Sequence, residues 1–112
     1  MRHEQTIQQN CVRWFRLQHP DKILFAVNNN ARGGRITDKR AGGIAKSMGV
    51  LAGVSDLVLC HNGTTTFIEV KTPTGKQGDS QKRFEQICKL TKFDYRIVRS
   101  FDEFQTLIND IL

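Results

Sequence analysis

The sequence predicts an α/β fold: one small mixed β-sheet flanked by helices, with elements in the order α-β-α-β-β-α-β-α. Three observations lead there. Short β-rich apolar runs alternate with segments of helical periodicity. An Asn-Gly pair, Asn62-Gly63, separates two of the β-rich runs, which is a strong hairpin signal. The chain has 112 residues and 38% apolar content, enough for one modest core, so the expectation is a single domain over residues 1–112.

From His3 to His19, Ile7, Cys11, Trp14 and Phe15 recur at helical spacing beside the long stems of Arg13 and Arg16, and Pro20 ends the pattern. Trp14 and Phe15 are read as core at that spacing rather than as a base-stacking platform. Ile23 to Val27 suits a buried strand leading into Asn28-Asn29-Asn30. Residues 31–36 read as a basic glycine-containing loop, and Thr37 is placed to cap a helix running to about Met48, which Gly42-Gly43 weakens. Ser55 to His61 and Thr65 to Lys71 read as the two strands of the hairpin. Asp79 or Ser80 then caps a helix with a buried stripe of Phe84, Ile87, Cys88 and Leu90 or Thr91, and Tyr95 to Val98 is a short strand. Ser100 and Glu103 have capping-box spacing ahead of Phe104, Leu107, Ile108 and Ile111.

Composition removes several function classes. No apolar run nears the roughly 18 residues that span a bilayer, and Met1 to Asn10 is polar where a signal peptide needs an apolar centre, so a cytoplasmic chain with no membrane partner is expected. Cys11, Cys60 and Cys88 are odd in number and lack Cys-x-x-Cys spacing, which encodes neither a disulfide framework nor a zinc site. His3, His19 and His61 offer no metal-ligand spacing and are read as structural or exposed. The net charge is +6, and it is uneven: residues 1–55 carry nine basic and three acidic groups, residues 56–112 eight of each. A basic N-terminal half points to a polyanion, nucleic acid before membrane, the alternative being a surface charged for solubility. Arg32, Arg35, Lys39 and Arg40 beside Gly33-Gly34 are the candidate DNA contacts. Lys46 is a further candidate, otherwise an ordinary exposed helix lysine.

The hairpin register supplies the chemistry. With Asn62 and Gly63 as the central residues of a type I′ turn, cross-strand partners have residue numbers summing to 125, so Asp56 faces Glu69. Directly opposed Cβ atoms lie roughly 5 Å apart, and two carboxylates so placed repel unless something positive sits between them. Strand alternation puts Lys71 on the same face as Glu69 and turns Ile68 and Val70 to the other. Two carboxylates, a main-chain carbonyl such as that of Val70 and waters form a hard oxygen site suited to Mg²⁺ or Mn²⁺. Lys71 is placed to hold or deprotonate water, or to neutralise charge on a phosphate.

Gly53-Val54-Ser55-Asp56-Leu57, then Phe67-Ile68-Glu69-Val70-Lys71, then Gly78-Asp79-Ser80-Gln81 with Phe84 resemble the motif set of the PD-(D/E)XK nucleases. Within that superfamily they are most similar to the VRR-NUC domain in its small stand-alone phage and bacterial form. The resemblance spans about Glu4 to Phe84, the last strand and helix agreeing only in order. It implies a restriction-endonuclease-like core, with Asp56 and Glu69 as metal ligands and Lys71 as the catalytic lysine. It further implies Gln81 orienting water or contacting phosphate, and Glu4 as an additional metal ligand, directly or through water. Ser55 stands where the superfamily name has proline, a position that shapes the start of the strand and provides no ligand. The activity implied is a metal-dependent endonuclease acting on branched DNA such as four-way junctions in a bacterial or phage-infected cell. Since this chain encodes one site, symmetric junction cleavage implies a homodimer, for which the basic loop and the C-terminal helix are the candidate surfaces.

Each residue also has a plainer reading. A single Asp at a strand start caps turns, Glu-x-Lys on a strand is commonly a solvated ion pair, and an acid or Gln in a first helical turn suits that position without any catalytic role. The alternatives to a junction nuclease are a non-catalytic nucleic-acid-binding module on the same scaffold and a simple nicking or flap nuclease.

Overall fold

The computed structural model describes residues 3–27 and 39–112, with the side chains of 39–42 left out. In chain order the elements are α1 (His3–Gln18), β1 (Ile23–Ala26), α2 (Lys39–Ser47), β2 (Leu57–His61), β3 (Thr64–Val70), α3 (Asp79–Thr91), β4 (Asp94–Val98) and α4 (Phe101–Ile111). The expected order is therefore observed. The expected basic loop at 31–36 and its cap Thr37 lie outside the described residues.

The sheet order is β1-β2-β3-β4, antiparallel between the first three strands and parallel between β3 and β4, whose connection is the crossover through α3. Asn62 and Gly63 both have positive φ, 47° and 76°, as a type I′ turn demands. Leu57 pairs with Ile68 and Val58 with Phe67, the register read from the sequence.

That register sorts side chains into two faces. Leu24, Leu57, Leu59, Ile68, Val70 and Val98 share the face covered by α1 and α4, where they pack with Cys11, Phe15, Phe104, Leu107 and Ile108. Phe15 is fully buried and Trp14 packs edge-on against Phe101 and Phe104, so both are core, as expected. The other face carries Phe67, Glu69, Lys71 and Tyr95 toward α3. There Phe67 meets Phe84 with ring centroids 5.0 Å apart, and Phe84 meets Tyr95 at 6.0 Å.

Several expectations are corrected. The N-cap of α3 is Gly78, not Asp79 or Ser80, because Gln81 folds back and its Oε1 accepts the Gly78 amide at 2.8 Å, supplying from inside the helix the satisfaction a capping side chain would give. The buried stripe of α3 reduces to Phe84 and Cys88. Ile87 and Leu90 are exposed. At α4, Ser100 Oγ accepts the Glu103 amide at 3.0 Å as expected, but the Glu103 carboxylate reaches one residue further, to the Arg99 amide at 2.7 Å. Phe104, Leu107 and Ile108 are buried in the core, whereas Ile111 is half-buried and Leu112 is exposed at the end of the helix.

Gly53 is the glycine on which the site depends. Its φ is +84°, and a Cβ there would overlap the Ser80 carbonyl in the first turn of α3. Gly53→Ala is expected to destabilise the chain by at least about 2 kcal/mol, read as a lowered urea midpoint; an unchanged midpoint would contradict this packing.

Candidate active site

The candidate side chains collect where β2 begins, β3 ends and α3 starts. Ser55 is fully buried, and its Oγ donates to the Leu57 carbonyl at 2.9 Å, which shapes the start of β2 where the superfamily motif has proline. Asp56 follows. Its main-chain carbonyl accepts the Val27 amide at 2.9 Å, extending the β1–β2 pairing, and its Oδ2 accepts the Val70 amide at 2.8 Å. Asp56 is thereby tied by backbone on one side and by side chain to β3 on the other. Val70 enters the site through this amide, whereas the sequence reading places its carbonyl at the metal.

Glu69 is 1% exposed. Its Oε2 accepts from Gln81 Nε2 at 2.9 Å and lies 3.3 Å from Lys71 Nζ. Lys71, itself buried, donates to Gln81 Oε1 at 3.0 Å. The Gln81 amide is oriented by its partners: Oε1 receives both Lys71 and the Gly78 amide while Nε2 faces a carboxylate, and reversing it would set donor against donor. The same amide caps α3 and bridges Glu69 to Lys71.

Glu69 Oε1 is buried without a hydrogen-bond donor. The Asp56 carboxyl lies near enough for its charge to act on Glu69. Burial first, and then the Asp56 charge, push the Glu69 carboxyl up to about 8, against the opposing pull of Lys71. Burial also raises Asp56, opposed by the Val70 amide and by Lys71. A carboxylate pair with an undonated buried oxygen has two ways to be satisfied: a shared proton, or a cation between the groups. Their hard oxygen donors fit Mg²⁺ or Mn²⁺.

Asp56, Glu69, Lys71 and Gln81 therefore come together as expected. Glu4 does not join them as a close ligand. It is half-buried in the first turn of α1 beside Gln5, Gln8 and Gln9, and its charge reaches Glu69 only as the weakest influence on that carboxyl. Among the described residues no three His, Cys, Asp or Glu side chains cluster as a ready metal cage. Lys46, in the last turn of α2, is exposed and lines a cleft that also reaches Asp56 and Gln81. Lys39 and Arg40 lie in α2 with undescribed side chains; Arg32 and Arg35 fall outside the described residues.

Arg99 was missed in the sequence. Its Nη1 donates to the carbonyls of Thr72 at 2.8 Å and Gly75 at 2.7 Å, while the Lys71 amide donates to Val98 at 3.0 Å, so β4 and the residue after it pin the loop that follows Lys71. One arginine after a short strand carries no signal of this, because its acceptors are loop carbonyls that exist only once the loop has folded.

The family model of the VRR-NUC domain matches residues 2–102. Two solved structures are similar over nearly all of the chain. One, described as a VRR_NUC domain, has a TM-score of 0.66 and 19% identity, covering 98% of each chain. The other, a VRR_NUC domain protein, has a TM-score of 0.71 and 17% identity, covering 97% of this chain and 87% of its own. No curated protein matches.

Proposed function

The chain belongs to the VRR-NUC domain family, a nuclease-type family, and from that premise we propose that it is a Mg²⁺- or Mn²⁺-dependent endodeoxyribonuclease selective for branched DNA such as four-way junctions. The observation that carries the reading is the buried, undonated Glu69 Oε1 beside Asp56, with Lys71 and Gln81 locked around the opposite oxygen. A metal-free binding scaffold has no use for such a pair, which destabilises a fold unless it holds a cation or a proton.

Asp56 and Glu69 would hold the cation, and Glu4 is near enough in charge to act through water. When bound, the ion supplies Lewis acidity that makes water nucleophilic near neutral pH and offsets charge on the phosphodiester. Lys71 presents its ammonium beside Glu69, where it binds a phosphate oxygen or steers the proton of the attacking water. Gln81 keeps that ammonium and the Glu69 carboxylate in fixed relation. Labelled duplex, flap and junction DNA incubated with Mg²⁺, Mn²⁺ or EDTA test the reading. Cleavage of the junction in either metal and none in EDTA is expected; undiminished cutting in EDTA would overturn it.

Symmetric cleavage of a junction needs two sites about a two-fold axis, so a homodimer follows from this substrate. Sedimentation equilibrium at micromolar protein, with and without junction DNA, is expected to show a dimer in at least one condition. A monomer in both would leave a nicking or flap nuclease.

A further inference from the structure

A groove leads away from the catalytic carboxylates. Its inner part, about 620 Å³, starts at Asp56 and Gln81 and is walled by Ala45, Val50, Ala52 and Val54. It continues into an outer part of about 400 Å³ that shares Lys46, Val50, Ala52 and Ser80 and ends at Arg83 and Ile87. Each part has the volume of an ordinary small-ligand site. The walls are built in advance: Gly53 is packed on the Ser80 carbonyl, and the Val50 amide donates to Ala45 at 3.0 Å.

The chemistry of the groove is mixed in a particular way. Val50, Leu51 and Ile87 are 48%, 54% and 43% exposed along it, while Lys46 and Arg83 contribute the cations. A duplex shows a protein its phosphates and groove edges, with base faces hidden in the stack. Apolar walls beside a phosphate-directed site therefore have nothing to gain from paired DNA, whereas an unpaired strand offers bare base faces and phosphates together. Resting on the nuclease reading, we propose that this groove receives unpaired nucleotides of the substrate strand next to the cut. The bases lie against Val50, Leu51 and Ile87, and the phosphates lie on Lys46 and Arg83.

The test uses a fluorescein-labelled single strand and a blunt duplex of the same sequence, with Ca²⁺ replacing Mg²⁺, and reads affinity by anisotropy. The double variant Val50→Ser with Leu51→Ser is expected to weaken single-strand binding about tenfold and duplex binding less than twofold. Lys46→Ala with Arg83→Ala is expected to lower the single-strand salt slope by about 1.4, two phosphate contacts. Equal loss on both DNAs, or loss on neither, overturns the proposal. So does a shift from dimer to monomer at unchanged affinity, which would make the groove a contact for a second copy. Both wall residues are exposed, so folding is expected to survive; if the melting temperature falls, the salt-slope variant decides. Wild-type cleavage in Mg²⁺ or Mn²⁺ is scored separately. Cutting by the wild type together with groove variants that bind the single strand as tightly as wild type sinks the groove alone, and groove-dependent binding without cutting in any metal sinks the nuclease reading alone.

Discussion

Glu69→Ala is expected to lower DNA cleavage by at least about a thousandfold while leaving junction affinity within a few-fold of wild type, and Asp56→Ala and Lys71→Ala to do the same. Glu69 acts on three neighbours at once. Its Oε2 holds Gln81 and balances the buried Lys71 ammonium, and its other oxygen is the undonated acceptor beside Asp56. Removing it takes away a proposed cation ligand and leaves Lys71 paired only with an amide oxygen. The three losses are not additive, because the side chains act as one unit. Asp56→Ala also frees the Val70 amide, which then needs another acceptor. Cleavage assayed under single-turnover conditions beside anisotropy on the same junction separates chemistry from binding. Affinity and cleavage falling together, with circular dichroism showing an unfolded chain, would make these residues structural.

The part of the site legible in the sequence is the part a strand register fixes. Asn62-Gly63 sets the pairing, the pairing observed as far as Leu57 and Ile68 points one step on to Asp56 and Glu69, and the period of two sets Lys71 beside Glu69; each step is local and geometric. What escaped depends on long-range packing or on one side chain doing two tasks. Gln81 is both the reciprocal cap of Gly78 and the bridge to Lys71, so the expectation of an Asp79 or Ser80 cap looked for a separate residue where one amide serves. Arg99 is recruited by loop carbonyls. Ile87 and Leu90 share the periodicity of Phe84 and Cys88 yet stay exposed, because periodicity marks a face and not how much of it is covered. The C-terminal helix divides its apolar surplus: Phe104, Leu107 and Ile108 are buried in the core with residues of α1 and the sheet, while Ile111 is half-buried and Leu112 exposed.

The metal-free chain is expected to lose stability as pH rises from about 4.5 to about 8, and Glu69→Gln to remove most of that loss. Glu69 begins at an ordinary value of 4.5 in the unfolded chain and is pushed up to about 8 in the fold by burial and by Asp56. Below the lower value both states bind the proton and the group costs nothing. Between the two values the folded chain keeps a proton the unfolded chain has released, so each step upward in pH favours unfolding; above the higher value the full penalty stands, on the order of a few kcal/mol. A glutamine keeps the donors and acceptors of a protonated Glu69 without titrating, so the variant should be more stable than wild type near pH 8.5 and close to it near pH 4.5. A divalent cation competes with that same proton, so Mn²⁺ should raise the wild-type melting temperature more at pH 8.5 than at pH 6 and should not raise that of Glu69→Gln. Thermal melts at the three pH values, with EDTA and with Mn²⁺, read all of these outcomes. A wild-type stability that is flat across the window, or an equal Mn²⁺ shift in the variant, would mean that the carboxylate pair neither shares a proton nor takes the ion.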